Sequence, residues 1–164
     1  DQFLDAGFHV SSAYTVVRDP SKVNFSYRDN LWRGSDLLAT GIASFGHVSG
    51  VHYQNKPEWG DYLGDLLDKG ELPLGRALRP TEHQALIREM ILQLKQGYLD
   101  VIYFRDKFGV DIRQEWADVW SQYVDDGYVE LQDDRIALTR QGLLRVDGLL
   151  PAFFEPEHRG VRYT

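Results

Sequence analysis

The 164-residue sequence has no cysteine. That absence excludes disulfides, thiolate nucleophiles, zinc fingers and thiolate-held iron–sulfur clusters within this chain. It also fits a reducing compartment, and a cytoplasmic location is expected. No run of 18 apolar residues occurs, so no transmembrane helix and no membrane partner are expected. No basic stretch leads into an apolar one at the start, so no secretory leader is read. The five histidines are His9, His47, His52, His83 and His158. No two stand four apart and no H-E-x-x-H occurs, so no metal site and no catalytic residue are assigned. Positive charge is also scarce, with 18 Lys and Arg against 25 Asp and Glu and a net charge of −7. Such a surface repels nucleic acid and does not seek anionic lipid. The first residue is Asp1 rather than Met, and the chain is expected to be processed or cut from something longer.

What is present fits a folded protein. Hydrophobic residues make up 43% and charged residues 26%, near the globular norm. A chain this long buries roughly 70% of its unfolded surface and holds a core without staples. Periodicity changes near Pro73–Pro80. Before it, short apolar runs alternate with Gly, Ser and Asn. After it, helical spacing dominates. Residues 1–75, 76–154 and a tail over 155–164 are therefore read as separate parts, with 72–80 as a linker.

Asp1 to Ala6 reads as the end of a helix, with Gly7 at the position after its C-cap. Phe8 to Arg18 is β-branched and aromatic and reads as one strand, ended by Asp19-Pro20. Helix, glycine and strand in this order are the rhythm of an α/β unit. Leu37-Leu38-Ala39 reads as a buried strand, and Asp61 to Lys69 as a helix stopped by Gly70. Thr81 and Gln84 form a capping box ahead of Ile87, Met90, Ile91 and Leu94. Asp100 to Phe108 makes a second helix, ended by Gly109. Asp111 caps a third helix with Trp116, Val119, Trp120 and Tyr123 on one face, the two tryptophans being core. Tyr128–Leu131 and Arg135–Leu138 flank Asp133-Asp134 as a hairpin. Thr139 caps a last helix carrying Leu143, Leu144, Val146, Leu150 and Phe153. Three helices, a hairpin and a closing helix are the parts of a winged-helix domain. In a DNA-binding version the third helix would read the groove. Here residues 111–126 carry five acidic side chains against Arg113, a surface that phosphate rejects.

One stretch carries a resemblance. Trp32, Asp36-Leu37-Leu38, Gly41 and Ala43-Ser44 are followed by Tyr53-Gln54-Asn55, Tyr62 and Gly70-Glu71-Leu72-Pro73. Further on come Phe108-Gly109, Asp126-Gly127-Tyr128-Val129 and Leu138-Thr139-Arg140-Gln141-Gly142. In this order the elements resemble the carboxy-terminal part of oxygen-independent coproporphyrinogen III oxidase-like radical SAM proteins. Ala39 stands where that family often has Gly, and Ser44-Phe45-Gly46-His47 replaces its usual ending. Those departures suggest a divergent branch.

The resemblance implies an α/β (α+β) fragment: late strands of a partial TIM-like radical SAM barrel over 1–75, then a mostly helical winged-helix-like domain over 76–154. It implies a parent oxidoreductase that decarboxylates tetrapyrrole propionates in haem biosynthesis, using S-adenosylmethionine and a [4Fe–4S] cluster. This cysteine-free chain would hold no cofactor itself and would be inactive alone. Its partners would be the tetrapyrrole and the amino-terminal part of the same protein. Two alternatives stay open: a haem-binding chaperone or anaerobic haem-metabolising relative on the same scaffold, and an acidic winged-helix interaction module. The resemblance also points to Gly41, Ile42, Ala43, Ser44, Phe45, Tyr53, Gln54 and Asn55 as a wall for S-adenosylmethionine or substrate. The bland reading of the first five is a strand end packed under a loop. Arg33 and His47 are candidate propionate contacts. His52 is a lesser candidate, and an ordinary loop histidine is the simpler reading of both histidines.

The charge balance yields one test. In a low-salt anisotropy titration the chain should show no duplex-DNA affinity at roughly micromolar or tighter. Salt-sensitive binding in that range would contradict the acidic reading of the third helix.

Overall fold

The computed structural model of the protein describes residues 2–159. In chain order, α1 (Gln2–Asp5) leads into β1 (His9–Ser12) and β2 (Thr15–Val17). Then come α2 (Ser26–Trp32), β3 (Phe45–Val48), β4 (Val51–Asn55) and α3 (Trp59–Leu63), which runs on as a π-helical turn, Gly64–Lys69. β5 (Leu74–Leu78), α4 (Glu82–Leu94), β6 (Tyr98–Asp100) and α5 (Val101–Phe108) follow. α6 (Ile112–Glu115), α7 (Ala117–Asp125), β7 (Val129–Leu131), β8 (Arg135–Leu138), α8 (Arg140–Leu144) and α9 (Val146–Leu149) complete the helices and strands. The protein is thus mixed α/β, and every strand pairing among the described residues is antiparallel. Two compact units result. One takes the chain up to Ser26 and from Leu86 onward, and the other is Tyr27–Ala85.

The first unit holds the main core. Met90, Leu94, Leu99, Val101, Phe104, Ile112 and Ile136 are fully buried, with Trp120 and Phe153 nearly so. The Trp120 and Phe153 rings lie 4.6 Å apart between centroids, and Trp116 meets Phe153 edge-on. β6, β8 and β7 form an antiparallel sheet in that spatial order. Asp100 caps α5, accepting from the Ile102 and Tyr103 amides, and Gly109 ends it at φ +70°. Two carboxylates, the buried Glu89 and the partly buried Asp111, are paired with cations. Glu89 accepts from the Tyr103 hydroxyl and from Lys107 Nζ at 2.7 Å. Asp111 accepts from Arg113 and Arg105, and the Arg113 hydrogen bond holds its carboxyl well below the usual range.

In the second unit β3, β4 and β5 form an antiparallel sheet with β4 central. Phe45, Gln54 and Arg76 stand in one cross-strand row, and His47, His52 and Leu78 in the next. Thr81 and Gln84 make the expected capping box: the Gln84 amide donates to Thr81 Oγ1, and the Thr81 amide donates to Gln84 Oε1, each at 3.1 Å.

Several expected elements differ. The run Phe8 to Arg18 is a hairpin rather than one strand. Its register shifts between Val10 and Ser12, and the Tyr14 amide turns to Ser12 Oγ. Leu37-Leu38-Ala39 is no buried strand. Leu37 makes a single bridge to His47, and Leu38 is 77% exposed. The segment read as a linker contains β5, because Leu74–Leu78 can fill the open edge of β4. The third helix breaks at Trp116, whose backbone leaves the helical region at φ −121° and ψ 39°. The Ile112 carbonyl there receives the Trp120 indole N–H at 2.8 Å, which satisfies it without a fourth-residue amide. The last helix breaks at Arg145 in the same way. β6 was not foreseen. Of the tail, Pro156–His158 forms a 3₁₀ turn, and residues 160–164, with Arg162 and Tyr163, lie outside the described residues.

Gly142 shows how closely α8 meets the turn that leads into β7. A Cβ there would fall 2.1 Å from the Tyr128 carbonyl oxygen, which itself receives the Thr139 amide. Gly142→Ala should therefore cost about 2 kcal/mol in urea unfolding. Gly148→Ala, with nothing within 4 Å of the added methyl, should be neutral or stabilising. Equal stability of the two variants would refute the close approach.

Candidate functional site

The residues singled out by sequence sit almost wholly on β3, β4 and the loop before them, inside the Tyr27–Ala85 unit. Alternation along β4 decides what each can do. Tyr53 lies on one face of the sheet, in a row with Gly46 and Ala77. Gln54 lies on the other, beside Phe45. Period two allows no other arrangement.

On the Tyr53 face, the ring lies across Gly46. A Cβ on Gly46 would stand 2.2 Å from the ring, so any other residue there must push the Tyr53 ring aside. The Tyr53 hydroxyl then accepts the Ala39 amide at 2.9 Å. Asn55, 4% exposed, donates through Nδ2 to the Gly41 carbonyl at 2.9 Å and the Ala39 carbonyl at 3.4 Å. Tyr62, on α3, accepts the Gly41 amide at 3.1 Å. The Ala43 amide donates to the Lys56 carbonyl, and the Asn55 amide to the Ser44 carbonyl. Ser44 Oγ donates to the Thr40 carbonyl at 2.8 Å. The segment from Ala39 to Ser44 has no ladder of its own, yet these bonds take up the backbone amides of Ala39, Gly41 and Ala43 and several of its carbonyls. Gly41 has φ +93° and Ala43 φ +55°, left-handed positions that let the chain turn twice in this short span.

On the opposite face, Gln54 Nε2 donates to the Ala43 carbonyl at 3.0 Å, and Arg76 Nε donates to Gln54 Oε1 at 2.7 Å. The Arg76 guanidinium lies 6.0 Å from the Phe45 ring centroid. Phe45 in turn stacks on His52, with centroids 5.7 Å apart and planes 11° from parallel. Phe45 is 47% exposed and Ile42 39% exposed, whereas His47 is buried beside His52.

Lys56 continues β4 and reaches Asp65 in the π-helical turn at 2.5 Å, and Lys69 reaches the same carboxylate at 2.9 Å. The bond from Lys56, then that from Lys69, draws the Asp65 carboxyl below its ordinary pKa and keeps it anionic.

The structure therefore gathers Gly41 to Phe45 with Tyr53, Gln54 and Asn55. It uses Tyr53 and Asn55 to hold the loop rather than leaving both as free ligand groups. Arg33 is exposed, just past the end of α2. Lys56, Asp65 and Arg76 were missed as members of the constellation, while Tyr62 was named in the motif but not assigned to the wall. For Arg76 a signal existed: Leu74, Arg76 and Leu78 alternate with small residues after Pro73, a strand pattern hidden inside a presumed linker. Elsewhere, Glu155, Glu157 and His158 approach one another near the end of the described chain, with Glu155 partly buried and the other two exposed.

Two comparisons with known proteins bear on this arrangement. Residues 81–145 match the family model of the HemN C-terminal domain. The solved structure of coproporphyrinogen III oxidase (HemN) from Escherichia coli, described as a radical SAM enzyme, matches with a TM-score of 0.74 at 17% identity. The match covers 93% of this chain and 38% of that enzyme, so the chain spans little more than a third of its length. No curated protein matches the chain in sequence. At this identity the structural likeness establishes the fold. The resemblance read from the sequence is borne out by both matches.

Gly46→Ala should push the Tyr53 ring aside and cost about 2 kcal/mol in chemical unfolding. Tyr53→Phe should lose only the bond to Ala39, about 1 kcal/mol. A Gly46→Ala protein as stable as the unmodified chain would show that the ring does not lie there.

Proposed function

We propose that this chain is the carboxy-terminal portion of a coproporphyrinogen III oxidase-like radical SAM oxidoreductase. Such an enzyme oxidatively decarboxylates propionate side chains of a tetrapyrrole in haem biosynthesis. The observation that carries the reading is the fold match over 93% of the chain, with the HemN C-terminal domain model falling inside it. In this reading residues 1–75, whose strand pairs are all antiparallel, close the end of a partial TIM-like barrel beyond its parallel strands, and 76–154 form the winged-helix-like closing domain. The order α4, β6, α5, α6 with α7, β7, β8, and a sheet ordered β6-β8-β7, supports the second assignment.

The cluster of such an enzyme does not fit this chain, which has no cysteine to hold it. That chemistry, together with S-adenosylmethionine cleavage, belongs to the amino-terminal part of the parent. Here the protein's task is shape and orientation. The loop from Gly41 to Phe45 forms one wall of the ligand site. Gly41, Ala43 and Ser44 add little bulk, and a Cβ on Gly41 would meet only Ser44 Oγ, at 3.5 Å. Tyr53, Gln54, Asn55 and Tyr62 keep that wall rigid. Its partners are the tetrapyrrole and the amino-terminal part of the protein, without nucleic acid. The proposed setting is the cytoplasm; among the described residues no helix is long and apolar enough to cross a membrane.

After anaerobic reconstitution this chain alone should bind no stoichiometric iron and sulfide. The full-length protein should bind both and consume coproporphyrinogen III with S-adenosylmethionine. A full-length protein that assembles a cluster yet leaves coproporphyrinogen III untouched would overturn the substrate assignment.

A further inference from the structure

The loop from Ala39 to Ser44 is gripped at its two left-handed residues, Gly41 and Ala43. The Gly41 amide donates to the Tyr62 hydroxyl on α3, and the Ala43 amide donates to the Lys56 carbonyl just past β4. Ala43 carries its Cβ at φ +55°, a conformation that persists only where the surroundings enforce it. The two grips are joined behind the loop. Lys56 Nζ reaches Asp65 Oδ2 at 2.5 Å, and Asp65 follows Tyr62 by three residues. Helical residues three apart are neighbours on one face, so Tyr62 and Asp65 are presented together. Gly41, Tyr62, Asp65, Lys56 and Ala43 thus form a closed ring of contacts.

Asp65 is suited to close that ring. It is 5% exposed, whereas Leu66 and Leu67, next in the same turn, face solvent. Its carbonyl accepts the Gly70 and Glu71 amides, which fixes the end of the turn. That turn is π-helical, a rare geometry found frequently at functional sites. Of the two lysines on the carboxylate, Lys69 belongs to the turn itself, and Lys56 alone ties it to the strand. Breaking that tie leaves a buried charge short of a partner.

We propose that Asp65 is a positioning residue of the ligand wall: through Lys56 and Tyr62 it fixes the backbone of Gly41 and Ala43 in the shape that a ligand meets. The loop's role as a wall rests on the reading given above, whereas the coupling from Asp65 to the loop depends on this chain's geometry alone.

Amide hydrogen exchange in this chain tests the coupling. Asp65→Asn should speed exchange at Gly41 and Ala43 roughly tenfold, and Lys56→Met, which keeps the Lys56 carbonyl, should do the same. The His47 amide, which donates to the Leu37 carbonyl, should change less than about twofold. The two substitutions together should fall short of the product of their separate effects. Lys69→Met, which removes the more exposed partner and keeps the tie to the strand, should stay within about twofold of the unmodified chain. Uniform acceleration throughout Tyr27–Ala85, no acceleration at Gly41 and Ala43, or a Lys69→Met effect equal to that of Asp65→Asn would each overturn the proposal.

The full-length protein tests the wall. Asp65→Asn should raise the Kd for S-adenosylmethionine, or the KM for coproporphyrinogen III, roughly tenfold, with kcat changed less than about twofold. Selective exchange with both constants unchanged, or with kcat alone reduced, would overturn the role in the wall. A protein that leaves coproporphyrinogen III untouched but loses S-adenosylmethionine affinity on Asp65→Asn would support the proposal and defeat the tetrapyrrole reading.

Discussion

A tyrosine ring lying flat against a glycine organises the Tyr27–Ala85 unit. Gly46 has no side chain, so the Tyr53 ring can cross the strand beside it and carry its hydroxyl to Ala39. Without that reach the segment from Ala39 to Ser44 would have lost one of its anchors to the sheet. Asn55 and Tyr62 add the others, all directed at the backbone around Gly41. A loop with no ladder is thereby given a fixed shape by side chains of strands and a helix. The segment is only partly buried, and its backbone bonds to Tyr53, Asn55 and Tyr62 give the candidate site its shape.

Much of this was legible beforehand where the signal was local. The capping box at Thr81 and Gln84, the Asp100 and Asp111 caps, and the glycine stops at Gly97 and Gly109 depend on a few neighbouring residues, and all are present. The signals that misled were those settled by distant partners. Leu37-Leu38-Ala39 looks like a buried strand until one sees that only Leu37 finds a strand partner. Residues 72–80 look like a linker because the need for them lies on the open edge of β4, more than twenty residues earlier. The third helix reads as continuous because its apolar stripe is continuous. Nothing in the stripe announces that Trp120 will reach back to the Ile112 carbonyl.

The closing part of the chain shows how far arrangement and charge can be separated. The elements α4, β6, α5, α6, α7, β7 and β8 follow one another in the chain, with the strands ordered β6-β8-β7 in the sheet. Its core sets Trp120, Phe104 and Phe153 among buried aliphatic side chains. The surface of the third helix is acidic, and Asp111 spends its charge on Arg105 and Arg113 rather than on solvent. That pairing fixes the start of α6, and it leaves the face without the positive charge a phosphate backbone needs. Fold alone assigns such an arrangement no nucleic-acid role.

Strand parity is the constraint that finally decides which partner each polar group meets at the site. Tyr53, Gln54 and Asn55 are consecutive, and as a written motif they suggest three polar groups turned toward one ligand. On a strand they cannot share a face. Tyr53 and Asn55 turn together toward the loop and fix it, while Gln54 turns to the opposite row. There its amide has two ends, and both are used: Nε2 holds Ala43, and Oε1 holds Arg76. Gln54 thus connects the loop on which the proposed wall depends with the guanidinium above Phe45. A shorter asparagine at that position would reach one of the two partners less well, and a glutamate would accept from Arg76 but could not donate to the Ala43 carbonyl. Of the side chains that bear a charge or an amide, glutamine alone combines that length, a donor and an acceptor, which is the physical reason the wall and the guanidinium can be held by a single residue.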